Sequence, residues 1–276
     1  MMPAMETAAP FQLGPHTVGP GQPLLLIAGP CVIESAEHTL KMAESIAVIA
    51  RRLEMPFVFK ASYDKANRSS IRSYRGPGLE EGLQVLKRVR DEVGVPVLAD
   101  VHEPDQARVA GEVLDCVQVP AFLCRQTDLL LAAGRTGRCV NIKKGQFLAP
   151  EKMQLAVEKV RETGNQNVLV TERGTFFGYE SLVNDLTGLA IMRQFAPVVF
   201  DATHSVQYPG GVSTVTGGAR EFIPPLARAA VAAGIDGLFL EVHDDPPNAK
   251  SDAATVWPLD QLEPLLTTLL RIREAL

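Results

Sequence analysis

Six cations stand at or just after the ends of short apolar runs: Lys60, Lys65, Arg68, Arg125, Lys143 and Arg173. Arginine offers a planar fork that matches carboxylate or phosphate, and lysine offers a point charge. Crowding such groups together is costly unless anions compensate them. If one mouth gathers all six, it asks for a ligand with several negative charges, or for two anionic ligands. The competing reading pairs each cation with a local Asp or Glu. It carries about half the weight for any one residue and little for all six.

A second set consists of Cys31, His204, Glu241 and Asp252. A thiolate, an imidazole and two carboxylates suit zinc, iron(II) or manganese. Their spacing alone is a weak signal, because the four come from distant parts of the chain. Taken singly, Cys31 is more often a packed core thiol, and His204 can simply hydrogen-bond a phosphate. There is no Walker A sequence, no GxGxxG and no nucleophile elbow, which disfavours a nucleotide enzyme.

Positioning these groups falls to an alternation of apolar runs and amphipathic stretches. The expected strands are 24–31, 56–62, 96–101, 116–121, 139–144, 167–172, 197–202 and 237–242. Between them lie stretches of helical length, such as 37–53, 79–93, 150–163 and 220–233, and 259–276 closes the chain. Continuous apolar strands alternating with helices imply parallel strands buried on both faces. Eight such units predict an α/β fold, a closed (β/α)8 barrel, with an open doubly wound sheet as the alternative. The C-terminal strand ends carry Cys31, Lys60, Asp100, Lys143, Glu172 with Arg173, Asp201 with His204, and Glu241, while the N-terminal ends carry Pro and small apolar residues. Barrel enzymes place their chemistry at the C-terminal face. Residues 11–13 and 16–18, around Gly14-Pro15, predict a hairpin that plugs the barrel bottom. Residues 1–276 are read as one catalytic domain, with 1–9 expected to be flexible. The loop 62–78 is long and basic, and 204–218, rich in Gly, Ser and Thr, reads as a mobile lid.

Composition sets the outer limits. The 276 residues suit one barrel, and 46% apolar with 21% charged residues is an ordinary globular balance. A net charge of -5 argues against a nucleic-acid or anionic-membrane surface, so any anion site must be a local cluster. No basic start and apolar h-region are seen at residues 1–10, so no secretory signal is read. The four cysteines, without a CxxC, are expected to be reduced and mostly buried.

Longer motifs carry a resemblance. Ile27-Ala28-Gly29-Pro30-Cys31-Val32-Ile33-Glu34-Ser35, Lys60-Ala61-Ser62 and Lys65-Ala66-Asn67-Arg68-Ser69-Ser70 form one group. Pro120-Ala121-Phe122-Leu123-Cys124-Arg125-Gln126-Thr127-Asp128, Asn141-Ile142-Lys143-Lys144-Gly145-Gln146 and Asp201-Ala202-Thr203-His204-Ser205-Val206-Gln207 form another. From about residue 10 to the end, the chain resembles the 3-deoxy-D-manno-octulosonate 8-phosphate synthase family.

The resemblance implies a condensation of phosphoenolpyruvate with D-arabinose 5-phosphate in lipopolysaccharide core biosynthesis, by a cytoplasmic homotetramer. Lys60, Lys65, Arg125, Lys143 and Arg173 would hold phosphoenolpyruvate, and Asn67, Arg68 and Ser69 would hold the sugar phosphate. Asp100 and Phe122 would lie near the sugar. Lys60, Lys65, His204 and Asp252 are the expected catalytic residues, with His204 also touching substrate.

The family divides into a metal-dependent class with Cys in the first motif and a metal-independent class with Asn. Cys31, together with Ser251-Asp252-Ala253 in place of Cys-Asp-Gly, points to the metal-dependent class. One divalent ion (zinc, iron(II) or manganese) would then sit on Cys31, His204, Glu241 and Asp252. Tyr208 departs from the family's expected Leu. Two alternatives share the barrel: a 3-deoxy-D-arabino-heptulosonate 7-phosphate synthase, whose loop usually reads Lys-Pro-Arg-Thr-Ser, and a non-catalytic phosphosugar sensor.

Overall fold

A computed structural model describes residues 7–68, 70–179, 181–208 and 217–276. Eight parallel strands lie at Leu25–Gly29, Phe57–Lys60, Val97–Asp100, Cys116–Val119, Cys139–Lys143, Val168–Glu172, Val198–Asp201 and Gly237–His243. Each pairs with the next, and the eighth pairs with both the seventh and the first. The ring is therefore closed, which excludes the open sheet. Every strand residue is buried. That is why the strands read as apolar runs rather than alternating ones.

Helices follow the strands at Ala36–Arg52, Leu79–Arg88, Pro104–Ala110, Thr127–Arg135, Met153–Arg161, Thr187–Arg193, Ile223–Ala233 and Leu262–Glu274. The first begins at Ser35, whose hydroxyl accepts from the His38 N–H at 3.1 Å, and the third has Pro104 in its first turn. The second runs on into a π-helical turn, Val89–Val93, before Gly94 ends it in the left-handed region. The helices seal the outer faces of the strands: Met42, Ile46, Leu86, Leu130, Val157, Met192, Val231 and Leu266 pack with Leu26, Phe59, Val117, Val170 and Leu240. Each fully buried aliphatic side chain contributes about 1.5–3 kcal/mol.

A separate apolar cluster fills the lower barrel interior: Leu25, Ile27, Val58, Leu98, Cys116, Cys139, Leu169, Val199 and Phe239. The hairpin of Phe11–Leu13 and His16–Val18 closes it from below by adding Leu13 and Val18. Gly14, at φ +57, makes the turn, and a side chain there would meet Pro96 at the start of the third strand. His16 reaches the backbone of Phe57, the first residue of the second strand. Ala8 donates its N–H to the Arg193 carbonyl at 3.0 Å, while residues 1–6 of the expected flexible start lie outside the described residues.

Candidate active site

The first, second and eighth strands build one half of the mouth. A Cβ on Gly29 would fall 2.0 Å from the Lys60 carbonyl oxygen, so only glycine lets the strand ends approach this closely. Just beyond, Lys60 Nζ donates to the Cys31 carbonyl at 3.0 Å and to Glu241 Oε1 at 2.6 Å, both in full burial. Lys65, from the basic loop, lies 3.7 Å from the same Glu241 oxygen. Burial opposes ionisation of Glu241, but Lys60, His204 and Lys65 outweigh it and hold its carboxyl well below the usual carboxylate range.

The other half rests on Asp201. Its Oδ2 takes an ion pair from Lys143 and a 2.7 Å hydrogen bond from His204 Nδ1, and its Oδ1 accepts from the His204 N–H. This fixes the imidazole and leaves Nε2 free to act. Burial disfavours the imidazolium, yet Asp201 and Glu241 raise the His204 pKa above its ordinary value. Burial pulls Lys143 and Arg173 the other way, below their usual values. Arg173 Nη2 donates to Gln207 at 2.8 Å, while its Nη1 is buried without a partner.

The expected metal ligands converge. Single donor atoms of Cys31, Glu241 and Asp252 lie within 4.8 Å of one another. Cys31 Sγ is 3.2 Å from Asp252 Oδ2, and His204 Nε2 is 3.6 Å from both Glu241 Oε2 and Asp252 Oδ2. Donors around a tetrahedral zinc stand roughly 3.3–3.8 Å apart. Glu241 Oε2 is buried and has no hydrogen-bond partner. A buried, partnerless carboxylate oxygen facing an imidazole and a second carboxylate fits a cation. The Asp201–His204 pair also supplies the carboxylate–histidine orientation that metal-binding imidazoles use.

Asp252 sits at φ +52, a left-handed conformation that Asp tolerates better than most residues. Ser251 stands beside it, its Oγ 2.8 Å from Cys31 Sγ. Burial, with Asp252 and Glu241 nearby, pushes the Cys31 thiol well above its ordinary value, so an incoming cation must displace its proton.

The cation set is only partly as expected. Local pairing does hold for Lys60 and Lys65 with Glu241 and for Lys143 with Asp201. Arg173 makes no direct hydrogen bond to a carboxylate through its guanidinium among the described residues. Arg68 is docked on carbonyls, its Nε to Tyr74 at 2.9 Å and its Nη2 to Lys250 at 3.2 Å. Arg125 and Asn67 are exposed, and Phe122 is 52% exposed on the turn Ala121–Leu123. The geometry thus gathers Lys60, Lys65, Asp100, Lys143, Arg173 and His204, and leaves Asn67, Phe122 and Arg125 exposed, with no hydrogen bond or ion pair to that group among the described residues. Ser69 lies outside the described residues, as do 209–216 of the expected lid. The flanks of that lid pair with each other, Gln207 with Gly218 and Tyr208 with Gly217.

One feature escaped the sequence reading. A hydrogen-bonded chain crosses the barrel interior from Ser62 to Asp100 (2.5 Å), Gln118 (2.6 Å), Asn141 (2.8 Å) and Thr171 (2.7 Å). It fixes the Asp100 carboxylate. Burial works against that charge, but Lys65 and Lys60 outweigh it and keep Asp100 ionised. The signal was available: Gln118, Asn141 and Thr171 are polar residues inside the strands, each two places after an inward apolar residue. Lys144, next to Lys143, points elsewhere and lies 3.5 Å from Glu172 in full burial. All four cysteines are free and buried, as expected.

A closed barrel with buried cations and a cation-ready thiolate–imidazole–carboxylate set at its C-terminal mouth has the architecture of a barrel enzyme acting on anionic substrates. The chain belongs to the DAHP synthetase I family, whose model matches residues 6–276. It is 61% identical over 269 residues to the 2-dehydro-3-deoxyphosphooctonate aldolase of Koribacter versatilis, with 96% of each chain covered. It is 57% identical to the enzyme of that name from Desulfosudis oleivorans, covering 94% of each chain. The Cyanothece sp. relative of the same name is 58% identical, over 94% of this chain and 96% of its own.

Proposed function

We propose that this chain condenses phosphoenolpyruvate with D-arabinose 5-phosphate and water. The products are 3-deoxy-D-manno-octulosonate 8-phosphate and inorganic phosphate. The observation that carries this reading is the buried mouth in which Lys60, Lys65, Lys143 and Arg173 stand against the Cys31, His204, Glu241 and Asp252 set. Near-full-length relatives with the corresponding enzyme name support it.

In this reading Lys60, Lys65, Lys143, Arg173 and Arg125 hold the carboxylate and phosphate of phosphoenolpyruvate. Arg173 Nη1, buried and partnerless, has a donor ready for an anion. Arg68, with Asn67 and Ser69, takes the sugar phosphate; its docking on two carbonyls orients the guanidinium in advance. Asp100 and Phe122 lie toward the sugar. The C3 carbon of phosphoenolpyruvate is a weak nucleophile, so these residues must hold it against the aldehyde carbon. The C3–C1 bond forms, water adds at C2, and phosphate leaves by C–O cleavage. The lysines and Arg173 stabilise charge on the way to the tetrahedral intermediate. His204, its Nδ1 held by Asp201, and Asp252 would stand beside the aldehyde oxygen and the entering water and orient them.

Cys31, His204, Glu241 and Asp252 would hold one divalent cation, zinc, iron(II) or manganese, which when bound supplies Lewis acidity toward the aldehyde and water. The chain would work as a single catalytic domain in a cytoplasmic homotetramer, serving lipopolysaccharide core synthesis. No helix among the described residues is long and apolar enough to cross a membrane.

The family's description leaves the seven-carbon synthase as the second reading. The loop Lys65-Ala66-Asn67-Arg68-Ser69-Ser70 weighs against it. Phosphoenolpyruvate loss followed with arabinose 5-phosphate, and separately with erythrose 4-phosphate, decides between them. Turnover with the five-carbon sugar is expected. Preference for the four-carbon sugar would reverse the assignment, and no turnover with either would leave a binding protein.

A further inference from the structure

We propose that Glu34, His38 and His243, with Asp244 beside them, form a second divalent-cation site of the zinc type that loads independently of the Cys31 set. Single donor atoms of Glu34, His38 and His243 lie within 4.8 Å of one another. Asp244 Oδ1 is 2.9 Å from His38 Nε2 and 3.4 Å from His243 Nδ1, so a second carboxylate borders both rings. Two imidazoles and two carboxylates make a zinc-type donor set, and cobalt(II) is accepted by the same ligands.

The four side chains come from three places: the loop after the first strand, the first turn of the first helix, and the end of the eighth strand with the residue after it. They are 5–23% exposed, which is open enough for entry and closed enough to limit competing water. The centroids of the two imidazole rings are 4.8 Å apart, with the planes tilted by 37°. His38 Nδ1 is buried and has no hydrogen-bond partner, so this ring has given up water without full compensation.

The same network ranks the site below the first. Lys41 already holds Asp244 Oδ2 at 2.7 Å, and the Lys250 N–H holds Glu34 Oε1 at 2.8 Å. The Asp245 N–H donates to His243 Nδ1 at 2.9 Å, so Nε2 carries the hydrogen that points to Glu34 Oε1, 3.3 Å away. A cation on Nε2 moves that hydrogen to Nδ1, where Asp244 Oδ1 can accept it, at the cost of the Asp245 contact. Once loaded, the ion would tie Glu34, three residues after Cys31 in the same loop, to the segment leading to Asp252.

Cobalt(II) titrated into metal-free wild-type protein tests this without a variant. The first equivalent should bring thiolate-to-cobalt charge-transfer absorption from Cys31. A weaker second equivalent should add ligand-field bands with no further charge-transfer intensity, because this set has no thiolate. In His38→Ala, and separately in Glu34→Gln, the second equivalent should bind at least ~100-fold more weakly while the charge-transfer band and the basal activity persist. Saturation of wild-type protein at one equivalent overturns the proposal. A second equivalent that survives both substitutions does so as well.

Discussion

The lower and upper halves of the barrel interior are lined by the same strands and differ by two residues. Going up, Val58 gives way to Lys60, Leu98 to Asp100, Cys116 to Gln118, Cys139 to Asn141, Leu169 to Thr171, Val199 to Asp201 and Phe239 to Glu241. Two residues along a strand is about 6.6 Å. Within that rise the interior passes from an apolar core, stoppered by Leu13 and Val18, to a layer of ion pairs with unmet donors and acceptors. The lower layer has every contact it needs and contributes stability. The upper layer holds Glu241 Oε2 and Arg173 Nη1 buried without partners, which costs stability and is tolerated where a ligand completes the bonding.

Substitutions that keep the two layers apart test this comparison. The largest effect should come from below: Leu98→Ala opens a cavity among fully buried neighbours and should cost about 3–5 kcal/mol of unfolding free energy. Its kcat at a temperature where the protein stays folded should be close to wild type. A large fall in kcat with little change in denaturation midpoint would mean that the layers are not separable. From above, Arg173→Ala should behave in the opposite way. It removes a buried guanidinium that burial already disfavours, so the thermal midpoint should hold or rise. Steady-state kinetics should show a loss of about 10²–10³ in kcat/KM, spread over kcat and KM for phosphoenolpyruvate. Full activity would remove Arg173 from the site.

A smaller and more selective change is expected in the basic loop. Arg68→Ala should raise the arabinose 5-phosphate KM by about one to two powers of ten, the worth of one charge-assisted phosphate contact. The phosphoenolpyruvate KM should hardly move. The reverse split would place Arg68 with the other substrate.

The smallest effect is in pH. Asp100 and Asp201 both have carboxyls held below the usual range, because Lys65 with Lys60, and His204 with Lys143, outweigh burial. A depressed folded value means that their stabilisation is present above the unfolded carboxylate pKa, about 3.9, and is lost as pH falls below it. Acid denaturation followed below pH 4 should be shallower in Asp201→Asn than in wild type. Leu98→Ala should shift the whole curve without changing its acid slope. An unchanged acid limb in Asp201→Asn would mean that its pairing contributes nothing to the difference between the layers.

Most of the frame was legible in the sequence. The eight strands, the hairpin and the polar strand ends follow from apolar runs, turn residues and the position of charges relative to them, and all recur in the structure. Partner choice was less accessible. Lys143 and Lys144 are adjacent and alike in sequence, yet strand alternation sends one to Asp201 inside and the other to Glu172. The Ser62–Asp100–Gln118–Asn141–Thr171 chain depends on neighbouring strands being in register, which no single strand reveals. Arg68 was expected to point at an anion, and its contact with the Lys250 carbonyl joins residues 182 positions apart. The hairpin of Thr175–Phe177 with Ser181–Val183 was also missed, because a three-residue strand on the surface carries too few apolar positions to show a period.

In the proposed function, a cation on Cys31, His204, Glu241 and Asp252 completes the upper layer. The direct measurement is metal content and condensation rate on the same sample, before chelation, after chelation and after return of a divalent metal. About one equivalent per chain should be bound on the thiolate site, with activity lost on stripping and restored on reloading. The burial that pushes the Cys31 thiol upward makes this loading tighter as pH rises, because the thiol must give up its proton. Cys31→Ala should lose that equivalent and the activity together. Protein stripped of metal that keeps its full rate in chelator would rule out a required cation and leave His204 as a plain phosphate contact.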